Sequence, residues 1–331
     1  MTKKVRWGIL STAKIGVQKV IPAMQQGDYC IVDAIASRNI DRAKSTANQL
    51  GIAKYYGSYE ELLNDPDIDA IYIPLPNHIH IYWTMKALEA GKHVLCEKPI
   101  GINTEEAQAL VDTAKKYPQL KVMEAFMYRF HPQWQKVREL AKSGVIGNVK
   151  TVQSFFSYYN VDPENIRNKL ELGGGALMDI GCYCISFPRF IFEEEPSAIM
   201  GDMEFDPFMK TDRLTSGMLQ FPSGGTSTFT CSTQLMPHQE ANIFGDKGHI
   251  MIKIPVNAPL NATTKIILRT KENTETFSFA PVDQYTLQGD AFSLAVLNDT
   301  PVPTPLEDAV ENMRVIDSIV ESAKQSQWVT F

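Results

Sequence analysis

The sequence has no block of lysine or arginine: its 32 basic residues are scattered among 38 acidic ones, for a formal charge of −6. Without a basic stripe to track a phosphate backbone, nucleic acid is a poor partner. Cysteine is scarce and irregularly spaced. Cys30, Cys96, Cys182, Cys184 and Cys231 make an odd count in mostly apolar runs, the pattern of reduced core thiols rather than a disulfide framework. The Cys182/Cys184 pair lacks the second Cys/His pair of a zinc site, and His78 with His80 lacks a third ligand, so no metal is expected. The opening MTKKVRWGIL contains no apolar h-region or cleavage site, and no later stretch reads as long enough to span a bilayer. A cytoplasmic protein with no membrane partner is the expectation. Internal repeats and low-complexity linkers are also missing.

What is present is an ordinary globular composition, 44% hydrophobic and 21% charged, over 331 residues. That length exceeds the roughly 250–300 residues at which one core stops growing, so two domains are expected. The first third alternates strand-like and helix-like segments: strands near 5–10, 30–36, 53–57, 68–74, 93–96 and 121–125, with helices near 15–25, 41–50, 58–63, 82–90 and 104–116. Such β-then-α order points to a parallel doubly wound sheet, whose ligands lie beyond the carboxyl ends of the strands. After about residue 125 a helix (132–143), a strand (149–159) and a glycine-rich turn with a helix (173–190) precede strand-like runs at 214–221, 225–233, 249–254 and 264–270. These strands follow one another without helices, which suggests an antiparallel sheet covered on one face. A helix over 305–325 ends the pattern. The domains are read as 1–124 and 125–331, with that last helix packing back on the first.

The turn after the first strand, 8-GILSTAKIG-16, nearly spells a dinucleotide fingerprint, with Ser11 and Ala13 standing where the first two glycines belong and Gly16 as the third. Taken alone it fits an ordinary βα turn as well. The backbone from Ser11 through Thr12, Ala13, Lys14 and Ile15 is the candidate pyrophosphate cradle. The second strand ends at Ser37-Arg38, where an NAD-binding protein carries an acid for the ribose hydroxyl; a hydroxyl and a guanidinium suit a 2′-phosphate instead, with Lys14 and Arg42 as further cations. NADP(H) is therefore preferred, with NAD(H) an alternative. Pro74, Leu75, Asn77 and His78 follow the fourth strand and Glu97-Lys98-Pro99 the fifth, both at cofactor-facing strand ends. Arg38 as a solvated loop charge is the competing explanation.

Together this loop, 76-PNHIH-80, 97-EKP-99, 128-YRFHP-132 and 173-GGGALMDIGCY-183 resemble the Gfo/Idh/MocA family over essentially the whole chain, in its branch with dihydrodiol, D-xylose and glucose-fructose enzymes. The resemblance implies an N-terminal Rossmann domain and a C-terminal α/β domain with a large, mostly antiparallel sheet used for homodimer or homotetramer contacts. It also implies that Glu97, Lys98 and Pro99 lie beside the nicotinamide, with Asp179 and Tyr183 facing it across a cleft. The chemistry suits those residues. Oxidising a carbinol carbon leaves a hydroxyl proton for a base, and Tyr183 can serve only if a cation such as Lys98 lowers its pKa from the ordinary value near 10. Asp179 orients the substrate or the tyrosine. Arg129, His131, Phe156 and Tyr159 are candidate substrate contacts, although aromatics in a strand are also ordinary sheet packing. The expected activity is an NADP-dependent oxidoreductase acting on a secondary alcohol of a sugar, polyol or cyclic diol. Redox-cycling glycosidases and non-catalytic NADP-binding regulators are the alternatives.

Overall fold

The computed structural model describes residues 3–331. The β-then-α alternation of the first third folds into six strands: β1 (Val5–Leu10), β2 (Cys30–Ala36), β3 (Lys54–Tyr56), β4 (Ala70–Ile73), β5 (His93–Cys96) and β6 (Val122–Glu124). All pair in parallel, in the order 3-2-1-4-5-6. β4 is buried at every position, as a central strand covered on both faces must be. A π-helical stretch, Gly16–Val20, runs directly into α1 (Ile21–Gln25); α2 (Ile40–Leu50), α3 (Tyr59–Leu63), α4 (His80–Glu89) and α5 (Thr104–Ala114) complete the crossovers. Side chains of Asn39, Ser58 and Asn103 accept from the backbone N–H groups of Arg42, Glu61 and Glu106 and so cap α2, α3 and α5. Strand order reverses between β1 and β4, and the segments leaving those two carboxyl ends begin at Ser11 and Pro74, the place where this architecture binds its ligand.

The remainder builds on α6 (Pro132–Lys142), β7 (Val149–Tyr159) and α7 (Cys182–Phe192), followed by β8 (Ala198–Phe205), β9 (Asp212–Gln220), β10 (Thr226–Ser232), β11 (Gln234–Gly245), β12 (Gly248–Ile252), β13 (Thr264–Thr270) and β14 (Thr274–Phe279). With β15 (Val329–Thr330) these form a nine-stranded sheet ordered 14-13-12-11-7-10-9-8-15, in which only β7 and β10 pair in parallel. Tyr128, Trp134 and Phe187 pack as an aromatic cluster between α6 and α7, the Trp134 and Phe187 rings stacking at 4.6 Å. One run, Leu170–Phe192, is apolar and long enough to cross a bilayer by length and composition, contrary to the expectation above; 83% of its apolar 18-residue window is buried, as in the core helix of a globular unit. All five cysteines are buried, and none is in a disulfide.

Contacts divide the chain into two compact units, one holding residues up to Met127 with Asp283–Val310 and the other Tyr128–Val282 with Glu311–Phe331. The chain thus returns to the first unit through α8 (Gln284–Leu297), a segment with no counterpart in a single boundary at 124/125. Side chains hold it there. Trp7 Nε1 donates to Ser293 Oγ at 3.1 Å, its ring meets Phe292, and the Asp290 carboxylate accepts from the backbone N–H groups of Asp28 and Tyr29 at 2.9 and 2.8 Å. The last helix, α9 (Leu306–Gln325), groups with the second unit from Glu311 onward. There Asn312 bonds Arg189 and the Cys182 carbonyl, and Ser322 Oγ accepts from Gly201 N.

Candidate active site

In the first unit, β1 ends in a turn whose first residue, Ser11, has φ 119°. This is the backbone conformation that a first glycine would adopt without strain; here serine adopts it. Its Oγ accepts from Ala13 N at 3.0 Å while Val17 N donates to Ala13 O, so the helix begins immediately after the bend. The leading N–H groups of a helix lack intrahelical partners and carry the positive end of its dipole. Lys14 and Ile15 open that helix, with Thr12 and Ala13 in the bend just before it, a cradle suited to an anion. A Cβ on Gly16 would lie 3.4 Å from Pro74 Cγ and 3.8 Å from Tyr72 Cε1, so the helix start already rests on the end of β4.

Ser37 is nearly buried at the end of β2, where its Oγ accepts from Asn39 N, while Arg38 and Arg42 are exposed. Tyr59, the first residue of α3, is buried, and burial raises its phenol pKa against the opposing effect of the nearby Arg38 charge. Its hydroxyl lies near both the turn after β1 and the end of β2. Sequence reading missed Tyr59 because, behind the Ser58 cap, it looks like the apolar first turn of a short helix. Its available signal was position, three residues beyond β3.

Leu75 is buried, and Asn77 and His78 lie on a single 3₁₀ turn, Asn77–Ile79. His80 has no exposure; its Nδ1 lies 2.8 Å from Pro99 O and its Nε2 2.7 Å from Leu75 O, so one ring ties the two loops after β4 and β5 together. Burial pulls its pKa down to about 4. On the other side, the buried Tyr72 hydroxyl donates to Glu97 Oε1 at 2.6 Å, and burial with the Glu97 charge holds that phenol protonated. Glu97 is thereby fixed from beneath, and Lys98, joined to Pro99 by a cis peptide, follows it at the end of β5.

In the second unit, a π-helical turn, Leu177–Gly181, continues into α7. It carries Asp179, and Tyr183 follows one turn later, 5% exposed with its ring 6.0 Å from Tyr128 and 6.1 Å from Phe156. The three glycines before the helix each have a reason. Gly173 is left-handed (φ 77°), a Cβ on Gly174 would lie 2.5 Å from Arg167 O, and Gly175 (φ 124°) lies where a Cβ would be 2.0 Å from Asp212 Oδ1. Asp212 accepts from Leu177 N at 2.8 Å and caps the helix start, burial raising its pKa. Asp179 receives Tyr158 OH at 2.6 Å and Arg167 Nε at 2.9 Å, both on Oδ2. Period-two alternation along β7 places Phe156 and Tyr158 on one face.

The other substrate candidates lie elsewhere in the unit. Tyr159 is 64% exposed on the opposite face of β7, and its neighbour Tyr158 is the tyrosine that reaches Asp179. Arg129 is buried, its Nη2 donating to Ser186 Oγ at 2.7 Å and its guanidinium over the Phe190 ring. His131 caps α6, its Nδ1 accepting from Gln133 N, and burial lowers its pKa to about 4.

Residues 5–126 match the oxidoreductase family with an NAD-binding Rossmann fold, and residues 134–251 match the GFO/IDH/MocA C-terminal domain. A D-xylose 1-dehydrogenase (NADP(+)) of Haloferax volcanii is 38% identical, the alignment covering 96% of this chain and 97% of the other. A trans-1,2-dihydrobenzene-1,2-diol dehydrogenase of Xenopus tropicalis is 38% identical over 81% of this chain and 79% of its own. The crystal structure of aldose-aldose oxidoreductase from Caulobacter crescentus superposes with a TM-score of 0.93 at 25% identity, covering 99% of this chain and all of that one. With the sheet order, the dinucleotide turn and the residues above, these likenesses make the chain a member of the Gfo/Idh/MocA family of NAD(P)-dependent oxidoreductases.

Proposed function

We propose that this protein is an NADP-dependent dehydrogenase or reductase that transfers a hydride between the nicotinamide and a secondary alcohol or carbonyl of a sugar, polyol or cyclic diol. The nicotinamide, when bound, accepts or returns the hydride; this chain's residues handle the cofactor's charge and the substrate's proton. The turn from Thr12 to Ile15 receives the pyrophosphate, with the N–H groups of Thr12, Lys14 and Ile15 as donors and Ala13 N held by Ser11 Oγ, and Ser37 and Arg38 take the 2′-phosphate. Lys14 and Arg42 add positive charge. Pro74, Leu75, Asn77 and His78 border the nicotinamide side, and Glu97 sets the position of Lys98.

The observation that carries the catalytic assignment is the buried Tyr183 phenol one turn beyond an ion-paired Asp179. Tyr183 takes the hydroxyl proton in oxidation and returns it in reduction. A free phenol is a poor base at neutral pH, so its proton affinity must be lowered. In this account the Lys98 ammonium stabilises the charge that develops on the substrate oxygen and lowers the proton affinity of Tyr183, as the reaction requires. Asp179 orients the hydroxyl. An absorbance screen at the reduced-nicotinamide band over aldoses, inositols, deoxy- and anhydro-ketoses and dihydrodiols, run with NADP and NAD in parallel, tests the proposal. Turnover with at least one sugar or diol, faster with NADP, is expected; NADP binding without turnover on any of them favours a regulator instead.

Tyr59→Phe removes one hydroxyl from the cofactor side. NADP affinity is expected to fall about fivefold to tenfold, the worth of one ordinary hydrogen bond, with NAD affinity little changed, as read by titration calorimetry. Oligomerisation is proposed through the open face of the nine-stranded sheet. A cavity of about 670 Å³ there is lined by β7, β10 and β11, including Phe155, Phe229, Leu235 and Met236, the last 84% exposed. Met236→Asp is expected to shift sedimentation toward the monomer.

A further inference from the structure

We infer that Arg167 is a positioning residue of the reaction: with Tyr158 it holds Asp179 as an oriented carboxylate, so that Tyr183 can exchange its proton near neutral pH. The inference rests on the function proposed above.

The geometry is built from three elements. Tyr158 reaches Oδ2 of Asp179 from β7, and Arg167 reaches the same oxygen from a short 3₁₀ turn, Ile166–Asn168. The Asp179 side chain is 12% exposed and that of Arg167 is 42%. An aspartate within a helix otherwise turns toward nearby backbone groups; two donors arriving from outside the helix fix its direction. The loop carrying Arg167 is itself held. Asn165 Oδ1 accepts from Arg167 N at 3.1 Å, Gly175 N donates to Arg167 O at 2.8 Å and Gly174 N to Lys169 O at 3.0 Å. Because a side chain at position 174 would collide with the Arg167 carbonyl, the glycine run is what lets this arginine's backbone lie against the start of the helix bearing Asp179.

A charge is needed there for a simple reason. A carboxylate one turn from a phenol opposes phenolate formation, since like charges raise proton affinity. Tyr158 of β7 reaches Asp179 and the Tyr128 ring lies 6.0 Å from Tyr183, and neither brings a charge. Arg167 brings a cation to Asp179 at 2.9 Å, and that charge also acts on Tyr158 and Tyr183. Paired with it, Asp179 orients without imposing its charge on the phenol.

The test measures kcat against pH in the oxidation direction for the native enzyme, R167K, R167Q and R167Q/D179N. In R167Q, kcat at pH 7 is expected to fall about tenfold, with the rising limb of the profile displaced by about one pH unit to higher pH, one unit being a tenfold change. R167K restores most of the limb. In R167Q/D179N, which has no carboxylate to neutralise, the limb returns to the native position although kcat stays low. A limb unmoved in R167Q overturns the inference. Thermal melting of the cofactor-free protein tests the pair without catalysis. A buried carboxylate stripped of its cation has its folded pKa raised, so stability is lost as pH rises above the unfolded value of about 4. The melting deficit of R167Q should therefore grow between pH 4.5 and 8, and that of R167Q measured in the D179N background should not. A pH-independent deficit overturns the inference even if no substrate is found, whereas a native protein that turns over nothing sinks the functional proposal alone. Unchanged NADP affinity in R167Q shows that the first unit is intact.

Discussion

Lys98→Ala is expected to lower kcat by roughly 10²–10³ while leaving NADP affinity within a few-fold, the loss typical of removing one group that stabilises charge in the transition state. The asymmetry between the two effects is the informative part. Lys98 follows Glu97, which the buried Tyr72 fixes at 2.6 Å, and in the proposed mechanism its ammonium meets charge that develops on the substrate oxygen and on Tyr183. In that mechanism ground-state cofactor binding rests on other residues, from Ser11 to Ile15 and at Ser37 and Arg38. Tyr183→Phe should match it, losing roughly 10²–10⁴ in turnover as a proton-transfer group does. The double variant should be little worse than the worse single one, because residues acting as a unit are not additive. Steady-state kinetics with calorimetric NADP titrations checks all three, and an unchanged kcat in either single variant removes that residue from the mechanism.

Arg38→Ala is expected to weaken NADP about 10- to 100-fold, the worth of a charge-assisted contact to phosphate, with NAD affinity within twofold of native. Arg38 is exposed at the end of β2, with the buried Tyr59 phenol nearby. If NADP and NAD weaken equally, Arg38 supports the loop and does not read the 2′-phosphate.

The first unit was largely legible in the sequence because buried parallel strands read as continuous apolar runs and helix ends carry their own chemistry. β1, β2 and β5 lie where the apolar runs place them, and Ser58 caps α3 as its serine and acidic first turn suggest. β11 was illegible for a physical reason. Its sequence QLMPHQEANIFG is polar with a proline, since its first half is solvent-exposed and only Ala241 and Ile243 reach the core. α8 hides differently: Gln284, Gln288, Gly289 and Ser293 are buried beside Phe292, so no clean apolar stripe marks the face that docks on Trp7.

At the site, motif residues were legible and their partners were not. Asp179 and Tyr183 stand out in 173-GGGALMDIGCY-183, but Arg167, 12 positions before Asp179, has no local pattern tying it there. Tyr158 and Tyr159 differ by one step along a strand, which is the difference between facing Asp179 and facing solvent.

The central claim is net hydride transfer to NADP from a carbinol carbon. Its most direct measurement takes the best substrate of the screen, deuterated at that carbon, and determines the mass of the NADPH formed. The account predicts one deuterium per NADPH and stoichiometric ketone or lactone product; product without net NADPH, or NADPH without deuterium, would contradict it.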